Sequence, residues 1–215
     1  MSPPRGLDVP PLLMLEVYAA GAFPMAESRD DPGFSLIEPR IRAILPLDGF
    51  HISRSLAKRM RQGRFTASAD TDFTEVVAAC ANREETWINP ALMRLYAGLH
   101  GAGHAHSIAV RQEGALVGGV FGVSVGAAFF AESMFSTRSD ASKAALVWLV
   151  DRLRGQGFTL LDTQFLTPHL ASLGGIEMPR DAFRKLLEPA VARGDVRFGP
   201  AGALPASASR APGAG

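Results

Sequence analysis

The chain has 215 residues, of which 47% are hydrophobic and 20% are charged, and its formal net charge is +1. This composition predicts a soluble globular protein with one main domain and at most a small second one. It excludes a generally cationic surface, so any polyanion must meet a local basic patch. No stretch reaches the roughly 18 apolar residues of a membrane-spanning helix.

Apolar periodicity and turn residues predict helices and strands in an alternating order that favours a mixed α/β domain, one sheet covered by helices. Helices are expected over residues 12–20, 51–62, 73–81, 90–101, 141–154, 167–173 and 179–192. Strands are expected over residues 43–47, 64–69, 106–112, 115–125, 127–133 and 158–163.

Turn-forming residues also divide the chain. The loop before Pro39 places a boundary near residue 38, so a small N-terminal lobe (1–38) should precede the main domain (39–198). Residues 199–215 are mostly Gly, Ala, Pro and Ser without an apolar face, which predicts disorder.

Local signals fix several element ends. Asn89-Pro90 has the cap residue and first-position proline that begin a helix, and Glu113-Gly114 is typical of a tight hairpin. Asp70, Asp72 and Asp140 are candidate N-caps of the helices that follow them.

The single cysteine, Cys80, cannot form an internal disulfide. Together with an N-terminus that makes a poor secretory signal, because prolines and Glu16 interrupt it, this favours a reducing cytoplasm. We predict that Cys80 is a buried helix residue.

Asp162 and Gln164 stand two residues apart where an apolar strand ends. Alternate residues of a strand share a face, so both side chains could meet one ligand. The alternative is a strand that ends in solvent.

Glu132 is a lone carboxylate within the apolar segment Phe129–Phe135. Burial would raise its pKa unless a cation or donor pairs with it. A bound substrate cation is one candidate partner, and an internal salt bridge or hydrogen bond is the other.

The expected second helix is basic and lacks acidic residues. It predicts either a nucleic-acid contact through phosphates or a solvated face. Its cations are Arg54, Lys58, Arg59, Arg61 and Arg64.

Other patterns predict no chemistry of their own. His104 and His106 have the spacing of a metal pair, but no Cys or carboxylate nearby in sequence completes a site. Ser133 and Ser136 lack the surroundings of a serine nucleophile. Gly118-Gly119 is not followed by the Lys-Ser or Lys-Thr of a phosphate loop, and favours close backbone approach within a strand.

Read in order, short blocks of this sequence resemble the leucyl/phenylalanyl-tRNA–protein transferase family from about residue 15 to 186. The blocks are Ala22-Phe23-Pro24, His51-Ile52-Ser53-Arg54-Ser55, Thr86-Trp87-Ile88, Gly103-His104-Ala105-His106-Ser107, Leu116-Val117-Gly118-Gly119, Glu132-Ser133-Met134-Phe135-Ser136, Ala141-Ser142-Lys143, Asp162-Thr163-Gln164 and Ser172-Leu173-Gly174.

The resemblance implies a GNAT-type acyltransferase domain after the N-terminal lobe, acting in the cytoplasm without cofactor or metal. Leu-tRNA or Phe-tRNA would donate the aminoacyl group, and a protein beginning with Arg or Lys would accept it and become a target of the N-degron pathway. We expect a monomer that does not bind membranes.

The resemblance also implies roles for residues at matching positions. Asp162 would act electrostatically and as a proton acceptor, Gln164 would position the attacking amine, and Glu132 would lie beside the acceptor. The aminoacyl pocket would comprise Val120, Phe129, Met134, Leu149 and Leu161. The terminal adenosine of the tRNA would stack near Tyr18, Trp87 and Tyr96, and the basic helix would face the tRNA backbone.

Two places depart from the family pattern. Met25 follows Phe-Pro where relatives often carry Trp, and residues 34–39 replace a Trp-Trp-Ser-Pro run. The alternatives are a coenzyme A-dependent N-acetyltransferase, which would need a pyrophosphate-binding run that the sequence lacks, and a noncatalytic tRNA-binding protein.

Overall fold

The computed structural model describes residues 9–206. Within that range the helices are α1 (Pro11–Ala19), α2 (Arg54–Arg61), α3 (Phe73–Ala81), α4 (Pro90–Gly101), α5 (Ala141–Gly155), α6 (Pro168–Ala171) and α7 (Arg180–Val191). The strands are β1 (Phe23–Met25), β2 (Ser35–Ile37), β3 (Ile41–Ile44), β4 (Thr66–Ala69), β5 (Ala105–Gln112), β6 (Ala115–Val125), β7 (Ala128–Ser136), β8 (Leu160–Gln164), β9 (Ile176–Pro179) and β10 (Gly202–Ala203).

The fold is built on an eight-stranded mixed sheet with the order β10-β4-β5-β6-β7-β8-β3-β9. Its one parallel pair is β7 with β8, which α5 connects, and every other neighbouring pair is antiparallel. Strands β1 and β2 form a separate antiparallel pair. The predicted mixed α/β class is confirmed.

Adjacent glycines in β6 let helices approach both faces of the sheet. A Cβ atom on Gly118 would lie 2.7 Å from that of Ala141 in α5, whereas one on Gly119 would lie 3.1 Å from Val76 in α3. Because neighbouring strand residues face opposite sides, α5 and α3 cover opposite faces. The predicted close backbone approach at these glycines is confirmed.

Elements that rest on local signals form as predicted. Asn89 Oδ1 accepts a hydrogen bond from the Leu92 amide at 2.9 Å and caps α4. Glu113 and Gly114 both have positive φ, 52° and 81°, as a tight hairpin between β5 and β6 requires. Cys80 is buried in α3, where burial raises the pKa of its thiol to about 12.

Of the three candidate caps, Asp72 and Asp140 take the predicted N-cap position and Asp70 does not. Asp72 and Asp140 stand at the N-cap positions of α3 and α5 but make no side-chain cap bond, and Asp140 has a left-handed backbone (φ 68°). Ser136 Oγ instead accepts from the Ser142 amide in the first turn of α5, at 3.3 Å. Asp70 accepts from the Ser107 amide and from His106.

The prediction of disorder from residue 199 is wrong for residues 199–206. Strand β10 pairs with β4, and Trp148 Nε1 donates to the carbonyl of Pro205 at 2.9 Å. Residues 207–215 lie outside the described chain, as do residues 1–8. Between residues 9 and 206, no helix has the length and hydropathy to cross a membrane.

Candidate active site

A cavity of about 1250 Å³ opens beside the C-terminal ends of β7 and β8. Glu132 and Met134 of β7 line it together with Thr163 and Gln164 of β8, and Trp87 lines it from the segment before α4. The parallel pairing of these two strands places their polar ends side by side. Two of the predicted catalytic residues therefore share one cavity.

Glu132 is held by two tyrosines. The hydroxyl of Tyr18 in α1 donates to Oε1, and that of Tyr96 in α4 donates to Oε2, each at 2.8 Å. Burial raises the pKa of Glu132 to about 7, and the two hydrogen bonds oppose that rise. Of the two partners that the sequence left open, the structure supplies internal hydrogen bonds.

Asp162 lies behind the cavity and not in its wall. Its side chain is fully buried, and Arg42 of β3 donates to both oxygens, from Nε to Oδ1 at 2.9 Å and from Nη2 to Oδ2 at 2.6 Å. Burial raises the pKa of Asp162, and the guanidinium acts in the opposite direction. Because Asp162 does not line the cavity, this placement does not support its predicted role as a direct proton acceptor, and its electrostatic role stays a prediction.

Sequence reasoning missed Arg42, which is 1% exposed. Its guanidinium lies between the rings of Phe23 and Phe183, 4.8 and 4.7 Å from their centroids, and Nη1 donates to the Gly21 carbonyl at 2.8 Å. All three nitrogens of this cation thus donate a hydrogen bond, and two aromatic rings pack on its flat faces, which compensates for burying the charge.

Asp162 stabilises the backbone conformation of Gln164 through a hydrogen bond. Oδ1 of Asp162 accepts from the Gln164 amide at 3.0 Å, where the backbone has a left-handed φ of 58°. This conformation interrupts the strand alternation, so Gln164 lines the cavity while Asp162 points to Arg42. The expectation that the two project from one face is corrected.

The amide group of Gln164 is oriented by backbone carbonyls. The two carbonyls that face the amide assign its orientation: with Nε2 turned toward them, it donates to Ala131 at 2.9 Å and to Thr163 at 3.0 Å. Oε1 is then the atom that can accept a hydrogen bond from an incoming amine. Beside it, Thr163 Oγ1 is buried with no hydrogen-bond partner among the described residues.

The predicted aminoacyl pocket is mostly core. Only Met134 lines the cavity, half-buried. The other four side chains are at most 1% exposed because they pack between the sheet and its helices: Val120, Phe129, Leu149 and Leu161. Their inclusion in an open pocket is corrected, since an apolar residue at the right sequence position can equally fill the core behind a pocket.

Two of the three predicted adenosine-stacking residues are also core. Tyr18 and Tyr96 are fully buried, with Tyr18 against Phe130 and Tyr96 edge-on to Phe121. Neither presents a ring face to a base, so their predicted stacking role is corrected. Trp87 is partly exposed on the cavity and keeps that role as a prediction.

The basic helix forms, but over residues Arg54–Arg61, after a cap in which Ser53 Oγ accepts from the Leu56 amide. Arg59 is tied to the loop before α5, with Nη1 3.2 Å from Asp140 Oδ2. The other four cations are exposed and make no ion pair with a described residue: Arg54, Lys58, Arg61 and Arg64.

The two histidines do not converge. His106 Nδ1 lies 2.8 Å from Asp70 Oδ2 and its Nε2 lies 3.2 Å from Ser124 Oγ, whereas His104 is partly exposed. Over the described residues, no group of three His, Cys, Asp or Glu side chains is placed to hold a metal ion.

Comparison with known proteins gives a consistent match. Residues 44–188 match the family model described as leucyl/phenylalanyl-tRNA protein transferase. A protein of that name from Cereibacter sphaeroides is 59% identical over 97% of this chain and 96% of its own, and one from Ruegeria pomeroyi is 57% identical over 86% and 88%.

Among solved structures, FemX has a TM-score of 0.50 at 13% identity, covering 82% of this chain and 70% of its own. At that identity the similarity concerns the fold alone.

Proposed function

The chain belongs to the leucyl/phenylalanyl-tRNA–protein transferase family, and we propose that it joins Leu or Phe from aminoacyl-tRNA to the N-terminal amine of proteins that begin with Arg or Lys. The enzyme is an aminoacyltransferase. The near-complete alignment with relatives of that name is the observation that carries the proposal. The mixed sheet and the likeness to FemX support a GNAT-type domain. We further propose that the protein is a cytoplasmic monomer and that its products enter the N-degron pathway.

The reaction needs placement more than activation. The ester between an amino acid and a ribose oxygen is already reactive, so aminolysis needs neither ATP nor a cofactor. What remains for the protein is to bring an uncharged amine to the carbonyl carbon in the right direction, which can supply much of the rate enhancement. The cavity beside β7 and β8 offers polar groups suited to that task.

Gln164 is proposed to position the acceptor amine. Its Nε2 is fixed by two carbonyls, which leaves Oε1 to accept an N–H from the amine. Asp162 is proposed to hold the Gln164 backbone in its left-handed conformation, and it acts through Gln164. Glu132 supplies the negative charge that a cationic N-terminal residue or its ammonium would meet.

The aminoacyl-tRNA donor is proposed to bind the part of the cavity that Met134 and Trp87 line. Met134 would contact the leucyl or phenylalanyl side chain, and Trp87 would stack on the terminal adenosine. The buried apolar residues behind Met134 would set the depth of that pocket.

A transfer assay tests the function directly. Purified protein is expected to move radiolabelled Leu from Leu-tRNA to a peptide that starts with Arg, measured as acid-precipitable or peptide-bound label. A peptide that starts with Asp should accept little, because its side chain would meet Glu132. Acetylated Arg should accept none, because it has no free amine.

The rival functions predict other results. Transfer of an acetyl group from acetyl-CoA would establish an N-acetyltransferase. Binding of tRNA without any transfer, with wild-type protein and purified components, would leave only a noncatalytic tRNA-binding role.

The basic helix is proposed to contact tRNA phosphates. Arg54, Lys58 and Arg61 stand on successive turns and are exposed. Reversing two of these charges, Lys58→Glu with Arg61→Glu, should weaken tRNA binding, and the plot of log K against log salt should become shallower by about 1 to 2. Filter binding or anisotropy at several salt concentrations would measure this.

A matched control changes the same total charge elsewhere. Arg94→Glu in α4 with Lys185→Glu in α7 alters two exposed cations outside α2. This pair should leave the salt slope near that of the wild type. Equal slopes for both double variants would remove α2 from the proposed tRNA site.

A further inference from the structure

The hydrogen bonds from Tyr18 and Tyr96 to Glu132 indicate a further role for this carboxylate. The inference rests on the proposed function. We propose that Tyr18 and Tyr96 are positioning residues that hold Glu132 as the proton carrier of the transfer reaction. Glu132 would take the proton that the acceptor amine must lose and pass it to the departing ribose oxygen.

The geometry favours this role for Glu132 over Asp162. Both carboxylates are buried, but Arg42 occupies both oxygens of Asp162 and the Gln164 amide adds a third hydrogen bond. Among residues 9–206, each oxygen of Glu132 accepts one hydrogen bond, and Glu132 lines the cavity. A carboxylate oxygen can accept two hydrogen bonds, so Glu132 retains lone pairs for a ligand. Oδ2 of Asp162 does too, but Asp162 does not line the cavity, and this difference favours Glu132.

The donors come from elements that fix the carboxylate from two sides. Tyr18 lies in α1 and packs on Phe130 with a ring separation of 4.9 Å, and Tyr96 lies in α4 and packs on Phe121 at 5.0 Å. Burial raises the pKa of both phenols well above 10.0, so they remain protonated donors. These contacts fix the position of the Glu132 carboxylate.

The step balances with Glu132 as carrier. The amine nitrogen attacks the ester carbonyl carbon and forms the C–N bond. The bond between that carbon and the ribose oxygen breaks, and the oxygen keeps the electron pair. One proton leaves the nitrogen for Glu132 and then passes from Glu132 to the ribose oxygen, so the carboxylate is regenerated.

The pKa values of the acceptor amine and of Glu132 are close enough for proton transfer between them. An α-amino group has a pKa near 8, and the pKa of Glu132 is raised to about 7. General bases work best with a pKa near the working pH. The titratable and charged groups that act on Glu132 are Tyr18, Tyr96, Asp162 and Arg42.

Removing one hydroxyl without removing its ring tests the proposal. Tyr18→Phe and Tyr96→Phe each delete a hydrogen bond that lowers the pKa of Glu132. The acidic limb of the single-turnover rate against pH should therefore move up by about one pH unit, with the rate at high pH restored to within about threefold of the wild type. The acceptor amine titrates equally in every variant, so differences between variants report the enzyme.

A packing control separates hydrogen bonding from structure. Phe130→Leu disturbs the ring beside Tyr18 but leaves the hydroxyl in place, and it should leave the limb unshifted. If the tyrosine variants lose the same fraction of rate at every pH, with the limb where it was, the two residues are merely structural and the proposal fails.

A titration independent of activity distinguishes this failure from that of the proposed function. The ¹³C carboxyl signal of Glu132 in the substrate-free enzyme, assigned with Glu132→Gln, should titrate at higher pH in both Tyr→Phe variants. An unchanged titration overturns the proposal whether or not transfer occurs. Wild-type protein that transfers no Leu at any pH would instead overturn the proposed function.

Discussion

Replacing Arg42 by Met is expected to destabilise the protein by about 3–5 kcal/mol, the usual cost of removing one partner from a buried ion pair. The variant would leave the Asp162 carboxylate without its two guanidinium hydrogen bonds and would empty the space between Phe23 and Phe183 of its cation. Denaturant unfolding followed by circular dichroism would measure the loss.

The loss should depend on pH. Without Arg42 only backbone hydrogen bonds oppose the effect of burial on Asp162, so its pKa should rise further and the folded variant should bind a proton more readily. A raised folded-state pKa contributes stability at low pH that is lost as the pH increases. Arg42→Met should therefore be closest to the wild type in acid and furthest from it near neutrality.

Two control variants test whether the loss of stability in Arg42→Met comes from breaking the ion pair with Asp162. Arg40→Met changes a neighbouring exposed arginine and should alter stability by at most about 0.5 kcal/mol. Arg42→Met combined with Asp162→Leu removes both charges and should recover part of the loss, as a double-mutant cycle would show. A cost below about 1 kcal/mol for Arg42→Met alone would contradict the assigned role of the pair.

Arg42→Met should also reduce the rate of aminoacyl transfer. Asp162 holds the Gln164 backbone, and release of that hydrogen bond would let the Gln164 side chain leave its position in the cavity. Misplacement by about 1 Å can cost on the order of 10²-fold in rate. The acceptor concentration for half-maximal rate and the rate at saturation should be measured separately.

The sequence predicts those parts of the fold that rest on neighbouring residues. Asn89 and Pro90 begin α4, and Glu113 with Gly114 closes a hairpin, because a cap or a tight turn involves only a few consecutive residues. Strand β9 was missed, because it is short, largely exposed and defined only by its pairing with β3.

The C-terminal segment shows why composition alone misleads. Its Gly, Ala and Pro content predicts disorder, yet Pro205 accepts a hydrogen bond from Trp148 at 2.9 Å and Leu204 donates its amide to the Ala67 carbonyl. Both partners lie far away in the sequence. Apolar periodicity within the segment could not have identified them.

The candidate site was predicted only in part, because some of its contacts join residues that are distant in the sequence. Glu132 was selected because a carboxylate stood in an apolar segment, and the structure shows that this carboxylate is buried and hydrogen-bonded. The same reasoning applied to Arg42, between Ile41 and Ala43, would have selected it too. Its pairing with Asp162 spans 120 positions, however, and no local pattern identifies such a partner.

Glu132→Gln is expected to reduce transfer at neutral pH by about 10²–10⁴-fold, the usual contribution of a positioned proton carrier. The amide keeps the size of the carboxylate and one acceptor oxygen, and the second tyrosine hydroxyl can turn to accept from the amide NH2, so folding should persist. Glu75→Gln is the matched control, because Glu75 also lines the cavity but its side chain is 57% exposed and pairs with Arg111. That control should retain transfer within about threefold.

The stability of Glu132→Gln should show that burial of the Glu132 carboxylate lowers the free energy of unfolding of the wild type near neutral pH. The pKa of Glu132 is about 7 when folded, against 4.5 for an ordinary glutamate side chain, so the wild type binds the proton more tightly when folded. Its contribution to stability is complete below pH 4.5 and is lost as the pH rises through about 7, a change of about 3 kcal/mol. Gln does not titrate.

Between pH 4.5 and 8, the free energy of unfolding of Glu132→Gln should therefore improve relative to the wild type by up to about 3 kcal/mol. Denaturant melts at four or five pH values would measure this, with Glu75→Gln as reference. A variant that loses transfer while gaining stability above pH 7 would show that the buried carboxylate is kept for chemistry. Parallel stability curves for variant and wild type would mean that Glu132 is ionised at little cost, and its assignment as proton carrier would have to be abandoned.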